Sequence, residues 1–291
     1  NDKLTPGTEV FVAEMGMNAE GRIRELSTHF PPYIAAITTI GEAHYERLGS
    51  HQAILRAKSE ITENASVVVL PVDQPELVAL ADTCRARGTI VVTVSAAGHD
   101  ADVTIDPDAG QVRYGPDSEP QDCPMPVLAH GVNVAVALGI AWALDVPAAQ
   151  ALPALEALPT ASHRSEVSET EHGVAIIDDT YNSNPPGAAR AVQGARELAE
   201  ERGGRLFVVT PGMVELGSLQ FRRNKELGEA ISQAGGTCYA VGLTNRRALL
   251  AGAGKDSPVF LRRDDAVSAV LQEARAGDVI LYENDLPDHY P

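Results

Sequence analysis

The chain has 291 residues, of which 40 are Asp or Glu and 23 are Lys or Arg, for a formal net charge of −17. That acid excess, with no basic stripe to offset it, excludes nucleic acid and anionic membrane as the main partner, although backbone N–H groups and local cations can still hold phosphates. Cys84, Cys123 and Cys238 are far apart and form no CxxC, which argues against a disulfide framework or a zinc site and for a reducing cytoplasm.

The length suits two domains. The first predicted element is EVFVA, residues 9–13, a buried strand ending just before Glu14. IAAITTI, residues 34–40, is a second strand, and His44 follows a few residues later. A helix starts after Ser50. At about 100° per residue it places Ile54, Lys58, Ile61 and Ala65 in one narrow arc, with Leu55 and Thr62 beside it and Arg56, Glu60 and Glu63 opposite. SVVVLPV and TIVVTVS then read as buried strands around the helical QPELVALADTCRARG.

Residues 101–130 are rich in Pro, Asp and Gly and alternate as a small antiparallel excursion would. GVNVAVALGIAWALDVPAAQALPALEAL follows as a long helical region, and its longest apolar stretch, VNVAVALGIAWAL, is too short to span a bilayer, so no membrane span is expected. PTASHRSE reads as a linker that places a boundary near Pro159 to His163 and divides the chain into residues 1–160 and 161–291. Beyond it VAIID, RLFVVT, CYAVGL, PVFLR and DVILYE alternate with helices. Continuous aliphatic runs bounded by helices mean parallel strands covered on both faces. The fold class is therefore α/β, with two doubly wound, mostly parallel-sheet domains. A short polar linker also predicts relative motion, with little holding the second domain over the first when no ligand is bound.

In open parallel sheets, ligands bind beyond the carboxyl ends of the strands. That rule selects Glu14, His44, Asp178 and Asp179, while Asn184-Pro185 reads as a helix cap with proline in the first turn. Each has a plain structural alternative as a turn residue, a packed histidine or a cap. Lys58 is sharper, because a lysine on an apolar face is costly unless it pairs or loses its charge. It could snorkel, or pair with Glu14 or Glu42. Alternatively its neutral amine could take up CO2 and become a carbamate, an oxygen ligand of the kind that suits Mg2+.

Four segments, in order along the chain, resemble the Mur ligase family. AEMGMNAEGRI is similar to the segment after that family's nucleotide-binding strand. TTIGEAHYERLGSHQAILRAKSEI is similar to its metal-binding histidine and carbamylated lysine. HGVNVAVALGIAWAL resembles its adenine-side asparagine motif, and HRSEVSETEHGVAIIDDTYNSNP the start of its C-terminal domain. The resemblance implies that Glu14 holds an Mg2+ bridging the ATP phosphates, and that His44 and carbamylated Lys58 hold a second Mg2+ near the transferred phosphoryl group. It implies that Asn133 contacts adenine and that Arg164, Asp179 and Asn182 reach ATP from the second domain.

AEMG, DDTYNSNP and VTPGMVELG resemble the branch that adds D-alanyl-D-alanine to UDP-N-acetylmuramoyl-tripeptide through an acyl phosphate. The implied partners are a nucleotide-sugar peptide precursor and an amine donor, and a monomer is expected. Thr39, Arg22 and the tail ENDLPDHYP depart from the commoner asparagine, glutamate and Lys-Gly-Ser of that branch. No GxxxxGK(S/T) occurs, so the phosphate loop is expected upstream of Asn1, with this chain as the back portion of a longer enzyme. The alternatives are a same-fold ligase of the folylpolyglutamate, poly-γ-glutamate or cyanophycin type, or a non-catalytic binding module. A dinucleotide oxidoreductase is disfavoured because no GxGxxG follows a strand.

Overall fold

Aliphatic runs become central strands, and the computed structural model, which describes residues 4–124, 130–158, 166–181 and 183–286, arranges them in two six-stranded sheets. In the first, β1 (Ile34–Ala36), β2 (Val67–Pro71), β3 (Ile90–Ser95) and β4 (Val103–Asp106) run parallel in that order. β5 (Gln111–Tyr114) and β6 (Gln121–Asp122) add antiparallel at the far edge, which is the expected excursion. Helices α1 (Arg22–His29), α2 (Tyr45–Leu48), α3 (His51–Ser59), α4 (Pro75–Ala86), α5 (Gly131–Ala143) and α6 (Ala148–Ala154) surround it. Ile23, Ile54, Ala57, Leu77 and Ala81 pack with Val68 and Leu70 on one face, and Ala135, Leu138 and Leu152 with Val67 and Val69 on the other. Every residue of β2 is buried, which is why its sequence does not alternate.

Two expectations about this half need correction. Residues 9–13 form no strand, and Val10, Phe11 and Val12 stand exposed. β1 pairs only with β2 among the described residues, so the segment has no ladder in which to satisfy its backbone. Glu60, placed by periodicity on the polar side, is 3% exposed. Its carboxylate accepts from the backbone N–H groups of Gly21 at 2.6 Å and Arg24 at 3.0 Å. It thereby caps α1, whose N-cap glycine has no side chain to do so.

In the second sheet the order is β11-β10-β9-β12-β8-β7. Its elements are β7 (Glu166–Glu169), β8 (Ala175–Asp179), α7 (Pro185–Arg202), β9 (Leu206–Thr210), α8 (Gln220–Gln233), β10 (Thr237–Val241), α9 (Arg246–Ala253), β11 (Val259–Phe260), α10 (Arg263–Glu273) and β12 (Val279–Glu283). Only β7 is antiparallel to its neighbour. α7, α8 and α9 cover one face and α10 the other. Asn184 caps α7 by accepting from the Gly187 N–H at 3.0 Å, with Pro185 in the first turn, as expected. The last strand, β12, inserts between β8 and β9, which brings the carboxyl ends of all three together. The boundary expected near residues 159–163 lies outside the described residues. Among the described residues no helix is long and apolar enough to cross a membrane.

Candidate active site

Glu14, His44 and Lys58 line one cavity of about 420 Å3, together with Met15, Met17 and Thr38. Three segments distant in sequence meet there: the stretch before α1, the loop between β1 and α2, and the last turn of α3. Ser50 fixes the start of α3 by accepting from the Ala53 N–H at 3.2 Å, and Ile54 and Ala57 bury its inner face. Lys58 therefore leaves the helix beside that face. Its amine donates to the Thr39 carbonyl at 2.7 Å, and burial pushes its pKa below the ordinary lysine value. It makes no ion pair among the described residues, and Glu42 is taken instead by Arg223. Of the open alternatives for Lys58, pairing with Glu42 is thus removed.

His44 sits at φ 62°, in the left-handed region that costs a non-glycine residue roughly 1–2 kcal/mol. Such strain is common where the surroundings over-determine a functional side chain. Here its Nδ1 lies 2.7 Å from Glu215 Oε2, and Glu215 comes from the second domain.

A second cavity, of about 510 Å3, lies between the domains and is lined by Thr38, Thr39, Asp73, Gln74, Gly131 and Arg190 among others. Thr38 borders both cavities. Asn133 stands exposed in the first turn of α5, two residues past Gly131. Asp179 ends β8, and its charge acts on the partly desolvated Arg190, whose guanidinium lies 3.2 Å from His130 Nε2. The structure thus gathers Glu14, His44 and Lys58 in one place, whereas Asn133 and Asp179 line neither cavity: Asn133 follows the lining residues Gly131 and Val132 in α5, and Asp179 acts through its charge on the lining residue Arg190. Arg164 and Asn182 lie outside the described residues.

More holds the domains together than the linker suggested. Arg223 clasps Glu42 with both arms of its guanidinium, one at 2.7 Å, and Arg47 reaches Glu215 at 3.2 Å. The expectation that little would hold the second domain in place is corrected by these pairs and by the His44–Glu215 and His130–Arg190 contacts. None could be read from the sequence except by extending the strand-end rule to the loop after β9, where VTPGMVELG carries Glu215.

Glu283 is another residue that sequence reading passed over. It ends β12 in register with Asp179, is fully buried, and accepts from Ser183 Oγ and from Thr210 Oγ1 at 2.6 Å. Burial pushes its carboxyl from 4.5 up to about 7; the two hydroxyls oppose this and Asp179 adds to it. Between those values the folded chain keeps a proton that the unfolded chain has released, so this group's contribution to stability falls as pH rises from about 4.5 to 7. The loss is on the order of 3 kcal/mol, from about 1.4 kcal/mol for each pKa unit. Glu283→Gln should flatten that slope in thermal melts at pH 5 and pH 8. An unchanged slope would mean the carboxylate is already charged in the fold.

Both halves of the chain match models of known domains. Residues 2–138 match the model of the Mur ligase middle domain, and residues 163–282 that of the Mur ligase, glutamate ligase domain. A Bacillus subtilis protein named UDP-N-acetylmuramoyl-tripeptide–D-alanyl-D-alanine ligase is 30% identical over 294 residues, covering 96% of this chain and 62% of its own length. The protein of the same name from Mycobacterium tuberculosis strain H37Rv is 30% identical over 319 residues, covering 96% and 60%. The chain thus spans about 60% of the length of the curated relatives it matches. Among solved structures, MurF from Acinetobacter baumannii superposes with a TM-score of 0.76 at 22% identity, over 93% of this chain and 60% of that one. The MurF ligase from Thermotoga maritima in complex with ADP gives 0.75 at 22% identity, over 93% and 62%. With both halves matched in order and the two sheets shared, the chain belongs to the Mur ligase family and carries its middle and C-terminal domains.

Proposed function

We propose that this chain is the ATP-handling and amine-accepting portion of a cytoplasmic amide ligase that joins D-alanyl-D-alanine to UDP-N-acetylmuramoyl-tripeptide through an acyl phosphate, in peptidoglycan precursor synthesis. The observation that carries it is the convergence of Glu14, His44 and Lys58 on one cavity beside the interdomain cleft. Relatives bearing that activity's name, matched over 96% of the chain, support the substrate. We divide the chain at residues 1–160 and 161–291.

The donor set suits Mg2+ once Lys58 is carbamylated: its amine adds CO2 and releases one proton, giving a carboxylate-like oxygen ligand beside Glu14 and His44. The lowered lysine pKa favours the free amine that this reaction needs. A carbamate nitrogen keeps one hydrogen, so the bond to the Thr39 carbonyl can persist. Mg2+ held there would neutralise charge on the ATP phosphates and on the phosphoryl group being transferred. Asn133 would contact the nucleotide from the first domain, and Arg164, Asp179 and Asn182 from the second. Domain closure would keep water from the acyl phosphate.

The test uses the full-length protein, with ATP, Mg2+ and the tripeptide precursor. ADP release should require both the precursor and D-alanyl-D-alanine. Release that proceeds equally well with glutamate and a folate or another amide acceptor would overturn the substrate assignment.

A further inference from the structure

Glu215 belongs to the loop after β9, in the second domain, yet both its side chain and its backbone hold the first. Its Oε2 lies 2.7 Å from His44 Nδ1, and its Oε1 accepts from Arg47 Nη2 at 3.2 Å. Its carbonyl accepts from the Glu46 N–H at 2.9 Å. Like His44, it sits at φ 62°, where side chains are uncommon. The loop that presents it is firmly built. Met213 and Leu216 are buried in the second domain's core, and Asn224 accepts from the Met213 N–H at 2.7 Å. Asn224 and Asn245 both donate to the Met213 carbonyl, at 2.9 and 3.0 Å.

A carboxylate can only accept a hydrogen bond. His44 must therefore carry its proton on Nδ1 where it meets Glu215, and a neutral imidazole then presents a bare lone pair on Nε2. That is the arrangement in which an outer carboxylate orients a metal-binding histidine.

We infer that Glu215 is a positioning residue: by docking onto His44 it fixes the Nδ1–H tautomer and reserves Nε2 for a divalent cation, so that arrival of the second domain completes the site lined by Glu14, His44 and Lys58. The cation part rests on the reading of His44 as a metal ligand. The tautomer part stands on the contact alone.

Long-range proton–nitrogen NMR on the metal-free chain tests it, with the His44 signals assigned by their loss in His44→Gln. Wild type should show Nδ1–H, and Glu215→Ala should shift His44 toward Nε2–H. Arg47→Ala, which removes a neighbouring contact but leaves the imidazole pair, should keep Nδ1–H. A thermal melt confirms that each variant is folded. Mn2+ titrated into the same proteins and followed by electron paramagnetic resonance should bind about 10- to 100-fold more weakly to Glu215→Ala. Nε2–H in wild type, or an unchanged tautomer in Glu215→Ala, overturns the inference. Weaker Mn2+ binding in His44→Gln with unchanged binding in Glu215→Ala also overturns it, while the ligand reading stands. If the tautomer switches but neither variant alters Mn2+ affinity, the cation part falls together with the ligand reading.

Discussion

Lys58→Ala is expected to reduce ligase turnover in the full-length protein by more than the roughly 100-fold typical of losing an outer partner of a metal site. The reason begins with the helix. Ser50 caps α3, Ile54 and Ala57 bury its inner face, and Lys58 emerges beside them into the cavity that Glu14 and His44 share. Its amine meets a carbonyl rather than a carboxylate, and burial lowers its pKa. A lysine retained for its charge would be served better by an acidic partner, and Glu42, the nearest acidic candidate from the sequence, is committed to Arg223. A lysine retained for carbamylation needs the free amine and gains from the absence of a counter-ion. Alanine offers no oxygen ligand, so high bicarbonate should not restore activity, whereas acetate or formate should restore part of it. Lys58→Arg separates the alternatives, because it keeps a cation at the cavity but cannot form the carbamate. Steady-state kcat/KM for the three proteins decides the matter. Wild-type turnover in Lys58→Ala, or substantial turnover in Lys58→Arg, would remove the metal-ligand role.

Local signals carried a good deal of this. Aliphatic runs became β2, β3, β9, β10 and β12, and the Ser50 and Asn184 caps start the helices they were expected to start. The strand-end rule holds for His44, which follows β1, and helical periodicity for Lys58; Glu14 lines the same cavity although the strand expected before it does not form. What could not be read was set by partners distant in sequence. Residues 9–13 have the composition of a strand, but a strand also needs a neighbour to pair with. Glu60 falls on the polar side of an ideal helix, yet a 3-10 turn follows Ser59 and the start of α1, some 39 residues earlier, docks on its carboxylate. Glu215 meets His44 across 171 residues. Glu283 became a buried acid only because β12 inserts between β8 and β9, an order that no local pattern encodes.

Gly252→Ala is expected to destabilise the second domain by about 1–3 kcal/mol, and Gly252→Val by more. On helix propensity alone the sign should be the opposite, since glycine in a helix interior costs about 1 kcal/mol relative to alanine. Tertiary contact reverses it. A Cβ on Gly252, in α9, would lie 2.0 Å from the Lys225 carbonyl oxygen and 2.6 Å from the Glu229 nitrogen, in α8. The reciprocal Cβ on Gly228 would lie 2.4 Å from the Leu249 carbonyl oxygen. These obstacles are helix backbone, so no side-chain rotation relieves them and the helices must move apart. Separation would loosen Leu227, Ile231 and Leu249, which this crossing keeps buried. The consequence should also reach the site. α8 carries Arg223 and Asn224, and Asn245 precedes α9; they hold Glu42 and the loop that presents Glu215 to His44. Urea unfolding of wild type and Gly252→Ala should show a lower midpoint in the variant. In folded Gly252→Ala the His44 tautomer should be less uniformly Nδ1–H. A variant stabilised by about the propensity difference would show that the two helices do not meet backbone to backbone.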